Sequence, residues 1–195
     1  MAELPPLERF RGDWLQTFTG RAFWPCDPDP EDVAIEDIAH ALARQCRFGG
    51  HVTCAHYSVA EHSVRVSWIV PEAHALAALL HDAAEAYVID VPRPVKNALG
   101  EAYRAIERGV ARAVGLRFGV ELVDLHPEVR LADEIMLATE VRDVMASPSR
   151  PWRPMPQPLP ATINPWSAEQ AEQNFKVRLL ELSGLTHVLV RESRG

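Results

Sequence analysis

The sequence predicts an all-α fold on three observations. Apolar residues recur at three- and four-residue intervals over most of the chain, capping residues and prolines frame those stretches, and no convincing alternating strand appears. The single strand candidate, "THVLVRE" at 186–192, is short. A chain of 195 residues is expected to form one domain, 1–195, with a core over about 15–185.

The elements follow in order. Residues 1 to about 28 hold Pro5, Pro6, Pro25 and Pro28 without a sustained period and read as irregular or weakly extended. "PEDVAIEDIAHALARQ" is a helix with Val33, Ile35, Ile38, Ala39 and Leu42 on its apolar side, expected to stop near "RFGGH" where Gly49 and Gly50 permit positive φ. "YSVAEHSVRVSWIV" is the next, opened by a Ser58–Glu61 capping box and broken by Pro71. "EAHALAALLHDAAEAYV" is predicted as one continuous helix ending ahead of Pro92 and Pro94. Further helices are expected at about 100–115, with Ala102, Ile106, Val110 and Ala113 on one side, and at about 127–145. The last is "SAEQAEQNFKVRLLELSG", opened by Ser167 and Gln170 and closed near Gly184. Between these last two, prolines at 148, 151, 154, 156, 158, 160 and 165 exclude helix and central strand, leaving a polyproline-like surface crossing. Its Trp152 and Trp166 are candidates for a pocket rim or a subunit contact.

Composition narrows the function. A formal charge of −7 and the lack of a basic run argue against a nucleic-acid polymer as partner. No stretch reaches the roughly 18 apolar residues of a membrane span, and no secretory signal is visible at the N-terminus. Cys26, Cys46 and Cys54 are odd in number with no C-x-x-C pair, which fits a reducing, cytoplasmic setting and incidental thiols.

Certain polar residues interrupt the apolar helices. His62 sits within "SVAEHSVRVSWIV", His81 and Asp82 follow the apolar run Ala75–Leu80, and Asp133 interrupts "VRLADEIMLATE". Burying any of them alone is costly. Together, two imidazoles and two carboxylates on neighbouring helices can share one divalent cation, which offsets that cost. A mixed nitrogen and oxygen donor set favours Mn²⁺, Co²⁺, Zn²⁺ or Fe²⁺ over Ca²⁺, with Mg²⁺ also admitted. On a continuous helix His81 and Glu85, four apart, share a face, while Asp82 is turned by about 100°.

"AEHSVRV", "LLHDAAEAYVIDVPRPVK" and "RLADEIMLATE" in this order resemble the His…His-Asp…Asp signature of the HD-domain metal-dependent phosphohydrolases. The resemblance covers roughly residues 15–185 and is nearest the branch of 5′-deoxynucleotidases and prophage- or phage-type HD hydrolases. It implies an HD-domain helical bundle, commonly a homo-oligomer, with His62, His81, Asp82 and Asp133 as metal ligands. It implies an acidic pair at Glu85 and Asp90, and an Arg-aromatic pair at Arg47 and Phe48 that touches phosphate and sugar. Tryptophan is the usual aromatic there, so Phe48 is a departure bearing on sugar and base discrimination. By chemistry, Glu85 suits proton handling on the water side and Asp90 positioning or leaving-group work. Arg47 suits bidentate phosphate contact, with Lys96 a second cation. His51 and His56 read as structural, Tyr57 and Tyr87 as packing, and His40, His74, His126 and His187 carry no role.

The expected function is divalent-metal hydrolysis of a (deoxy)nucleoside 5′-monophosphate. Two alternatives stand beside it: triphosphohydrolysis of a deoxynucleoside triphosphate, and a non-catalytic sensor that binds metal and nucleotide. The Gly-Tyr-Pro motif of the cyclic-dinucleotide HD branch is missing.

Overall fold

The structure, a computed structural model, describes residues 11–183. The strand candidate at 186–192 and His187 lie outside the described residues. The chain is mainly helical, as expected. Its only regular strands among the described residues are β1 (Leu15–Gln16) and β2 (Ala22–Phe23), an antiparallel pair whose turn rests on Asp37, which accepts from the Thr19 N–H at 2.7 Å.

Helix α1 (Ile35–Arg44) ends at Gln45, four residues short of the glycines expected to stop it. The chain leaves the helix to pair with the segment ahead of the next one: Arg47 N–H donates to Tyr57 O, and Val59 N–H to Gln45 O. Gly49 and Gly50 do adopt positive φ, but inside a following 3-10 turn, and Phe48 shares that left-handed backbone at φ 57°. Such a conformation costs a non-glycine residue about 1–2 kcal/mol, so a side chain held there is held by its surroundings.

Helix α2 (Val59–Ile69) has Ser58 as N-cap, its hydroxyl accepting from Glu61 N–H at 3.0 Å. The returning arm of the predicted capping box is replaced, because the Glu61 carboxylate accepts from Arg65 and from the Trp166 N–H instead. Helix α3 (Glu72–Leu80) ends where the predicted continuous helix was to carry on, and α4 (Glu85–Val88) begins five residues later. His81–Ala84 keep right-handed dihedrals at their ends, but the hydrogen bonds tighten to i→i+3: Ala83 N–H to Leu80 O and Glu85 N–H to Asp82 O. Helix α4 stops ahead of the proline pair, at Ile89 with its φ of 69°, and the pair then opens a short helix, α5 (Arg93–Leu99). Pro94 needs no amide partner in a first turn.

Helices α6 (Glu101–Phe118), α7 (Pro127–Asp143) and α8 (Ala168–Leu182) lie where the periodicity put them, α8 with the full Ser167–Gln170 capping box. Helix α2 is central, packing on α1, α3, α7 and α8. Two apolar clusters flank it. One holds Phe23, Ile38, Leu42, Val64, Leu79, Val114 and Phe175; the other holds Tyr57, Val66, Val129, Met136 and Ile163. Because α2 and α3 contribute to both clusters, polar side chains along their shared seam are enclosed by apolar packing on either side.

Candidate metal centre and its cavity

His62 on α2, His81 and Asp82 in the tightened turn after α3, and Asp133 on α7 come together at this seam. The four side chains named from the sequence thus meet. His62 Nε2 lies 3.3 Å from His81 Nε2, 3.2 Å from Asp133 Oδ1 and 3.7 Å from Asp82 Oδ2. His81 Nε2 lies 3.3 Å from Asp82 Oδ2 and 4.0 Å from Asp133 Oδ1.

The far side of each ring decides what these nitrogens can do. His62 Nδ1 is 2.6 Å from Glu140 Oε1, and His81 Nδ1 is 2.7 Å from the Ala78 carbonyl. The Ala78 carbonyl has no proton to give, and Glu140 is held below the usual carboxylate range: burial opposes this, but Arg47 and His62 outweigh it. Each Nδ1 is therefore the donor, which turns Nε2 toward the other ring. Without an ion, an imidazolium N–H can bridge the two rings or meet a carboxylate; one cation shared with the two carboxylates takes the place of that proton. Donor bonds of about 2.0–2.2 Å would set neighbouring ligand atoms roughly 3.0–3.6 Å apart, close to the spacing found. The donor set fits a divalent ion.

Charge is concentrated here. Burial, and then Arg47, push the His62 imidazolium down, but Glu140 and Asp133 outweigh them and bring it up to about 9. His81 rises for the same kind of reason, burial being outweighed by Asp82 and Asp133. Asp82 is held well below the ordinary carboxylate range, since His81, His62 and Arg47 overcome its burial. The acids thus impose positive charge at the meeting point of the four ligands, where a metal would supply it.

Sequence reasoning missed Glu140. It is fully buried on α7, seven residues from Asp133 and so on the same face. It orients His62 and also accepts from Arg47 Nη2 at 3.1 Å. Arg47 is thereby fixed with Asp82 3.5 Å from its Nη1, and its guanidinium lies 5.3 Å from the Phe48 ring. Gln45 was also missed: its amide donates to the Glu85 carbonyl (2.9 Å) and its carbonyl accepts from Asp90 N–H (3.0 Å). That link steadies Ile89, a β-branched residue at φ 69°, whose carbonyl also accepts from Tyr103 Oη.

A cavity of about 650 Å³ opens beside the ligands. Arg47, Phe48, Asp82, Asp90, Lys96 and Asp133 all reach its wall. Glu85 does not; it is buried behind the wall with Oε2 unpartnered. In the i→i+3 turn, residues three apart eclipse, so Glu85 follows Asp82 and not His81, which corrects the face expected from a continuous helix. Burial, then Asp82 and Asp90, push the Glu85 carboxyl well up, and burial also raises Asp90. The Lys96 ammonium donates to Glu107.

Trp152, one of the two rim candidates, lines the cavity. Trp166 does not: it meets Trp68 edge-on and lies under Arg65. His56 is structural, bonded to the Ala43 carbonyl. His74, His126 and Glu128 form a second ligand-like group at the surface. There the two imidazoles stack 3.9 Å apart, His74 Nε2 lies 3.2 Å from Glu128 Oε2, and His126 Nδ1 caps α7.

A centre of two buried histidines and two cavity-lining carboxylates at the seam of a helical bundle is the class of site this chain carries. The chain is 38% identical over 176 residues to an uncharacterized protein of Escherichia coli, YfdR, an alignment that takes in 88% of this chain and 97% of that one. It is also 38% identical over 142 residues to an uncharacterized protein of Rhodobacter capsulatus, covering 67% of this chain and 72% of the relative. The chain belongs to the YfdR family. No family model matches it.

Proposed function

We propose that this protein is an HD-domain phosphohydrolase that cleaves (deoxy)nucleoside 5′-monophosphates to nucleoside and phosphate with one divalent metal ion, Mn²⁺, Co²⁺, Zn²⁺, Fe²⁺ or Mg²⁺. The carrying observation is the convergence of His62, His81, Asp82 and Asp133 beside a cavity into which Arg47 is fixed. When bound, the ion would acidify water and neutralise charge on the phosphoryl oxygens.

The chain's own groups supply the remainder. Arg47, locked by Glu140, presents a guanidinium to phosphate with its geometry set beforehand. Glu85, its carboxyl raised by burial first and then by Asp82 and Asp90, is the proton carrier of the acidic pair. Asp90 faces the cavity, where it can position the substrate or meet the leaving oxygen.

Monophosphate is favoured over triphosphate because Arg47 keeps its buried Nε without a partner, while Lys96 is paired with Glu107 and Arg153 with Glu134, which Arg93 also approaches. One phosphate therefore meets one well-placed guanidinium. The proposal extends to a cytoplasmic setting and a homo-oligomer. Among the described residues no helix is long and apolar enough to cross a membrane.

The test is a panel of nucleoside mono- and triphosphates with Mn²⁺, Co²⁺ or Mg²⁺, read as release of phosphate or triphosphate. Fastest release from a monophosphate supports the reading, fastest from a triphosphate replaces it with the triphosphohydrolase, and no release at all leaves the sensor. In the first case Glu85→Gln is expected to keep metal while losing roughly 10²–10⁴-fold in kcat; loss of the metal would refute the role given to Glu85.

A further inference from the structure

The proline-rich crossing between α7 and α8 reaches the cavity at one place. Its later half is pinned to the bundle. Leu159 N–H donates to Thr139 Oγ1 at 2.9 Å, Ile163 N–H to Asp143 Oδ2 at 2.8 Å, and Trp166 N–H to Glu61 Oε2 at 2.8 Å. Arg142 adds bonds to the Leu159 and Ala161 carbonyls. The earlier half is tied back through Arg153, which donates to the carboxylate of Glu134, the neighbour of Asp133 on α7. This latch brings Trp152 into the same wall as Arg47 and Asp133.

The two tryptophans of the crossing differ in what occupies their faces. Trp166 is covered by Arg65 and Trp68. Among the described residues, no ring or cation is stacked on Trp152, and 39% of its surface is open. Its neighbours in the wall include Phe48, Val91, Pro92 and Leu137, which offer no side-chain hydrogen bonds, while the Asn97 carbonyl is already taken by Arg104. The cavity of about 650 Å³ falls within the roughly 300–1,000 Å³ usual for ligand sites.

We propose that Trp152 is a specificity-determining residue whose open indole face stacks on the aromatic base of a nucleotide, the phosphate of which is held at Arg47 and the metal centre. This rests on the nucleotidase reading and deepens it. Stacking tolerates any base, because each has a π-face. The site therefore separates nucleotides from phosphate esters without an aromatic ring. Purines are preferred to pyrimidines through their larger stacking area. Glu134 and Arg153 are positioning residues that hold the indole in place.

Binding is measured by calorimetry on the full chain carrying Glu85→Gln and loaded with Mn²⁺, using adenosine 5′-monophosphate and ribose 5-phosphate as probes. Trp152→Ala is expected to weaken the nucleotide about 10- to 100-fold while ribose 5-phosphate stays within about twofold, and Trp152→Phe is expected to restore most of the loss. Equal weakening of both probes, no change in either, or no binding of either before Trp152 is altered overturns the role of Trp152. The nucleotidase reading is judged separately, by turnover in the unsubstituted chain. If the chain hydrolyses nucleotides while Trp152→Ala binds them unchanged, only the Trp152 inference falls. If it hydrolyses nothing yet Trp152→Ala selectively loses the nucleotide, the catalytic reading falls and the base-stacking site stands.

Discussion

His81→Ala is expected to lose the divalent ion and nucleotide hydrolysis together. His81 Nε2 is within 4.0 Å of the other three ligand atoms, so no remaining donor can take its position. Losing a residue that merely orients a ligand costs about 10–100-fold in metal affinity; losing the ligand itself should cost more. Elemental analysis after desalting is the direct check, with about one metal per chain expected for the unsubstituted protein and near none for His81→Ala. Thermal unfolding gives a second check. An ion that binds the folded chain alone adds about 2.7 kcal/mol of stability at a concentration 100 times its Kd, so Mn²⁺ should raise the Tm of the parent and leave that of His81→Ala where it was. Full metal content in His81→Ala would remove His81 from the ligand set and with it the centre described above.

The legibility of this site in the sequence divides along a physical line. His62, His81, Asp82 and Asp133 stood out because a charged or imidazole side chain in an apolar helical stripe is costly unless something compensates it. Glu140 did not stand out, although it is more deeply buried than Asp133. Near the end of a helix, next to Arg142 and Asp143, a glutamate reads as part of the solvated face. Only its partners, Arg47 and His62, which are 93 and 78 residues away, show otherwise. Gln45 was hidden in the same way, as a polar residue at a helix end whose bonds to Glu85 and Asp90 cross 40 and 45 residues.

Helix boundaries show a related pattern. Those set by local chemistry, such as the Ser167 and Gln170 caps of α8, were readable from the residues alone. The break between α3 and α4 was not, since "LLHDAAEAYV" contains no glycine or proline and its apolar spacing permits a continuous helix. The tightened turn that replaces it eclipses Asp82 with Glu85, and that juxtaposition adds to burial, the larger cause, in raising the Glu85 carboxyl. The chemistry assigned to the acidic pair therefore depends on a feature of backbone geometry to which residue spacing gave no clue.

Glu140→Ala should damage stability and metal binding at once, because one carboxylate serves two buried cationic or donor groups. Glu140 Oε2 faces Arg47 and Oε1 faces His62 Nδ1, and both Glu140 and His62 are fully enclosed. Removing one partner of a buried pair leaves the other charge uncompensated, at a cost of about 3–5 kcal/mol. Asp82, 3.5 Å from the other Arg47 amine, limits that loss without replacing the bond. The His62 ring simultaneously loses the acceptor that fixes its tautomer, so metal affinity should fall about 10–100-fold. Glu140→Gln separates the two effects. Its amide oxygen can still accept from His62 Nδ1, but it brings no charge to Arg47, so metal binding should suffer less than stability. Urea unfolding in chelator gives the stability change free of metal linkage, and Mn²⁺ titration gives the affinity. A double-mutant cycle with Arg47→Met isolates the pair, for which coupling within about 0.5–3 kcal/mol is expected of contacting residues. If Glu140→Ala unfolds at the parent's urea midpoint and binds Mn²⁺ as tightly, Glu140 neither anchors Arg47 nor orients His62. The pre-set guanidinium on which the phosphate-binding role rests would then lose its support.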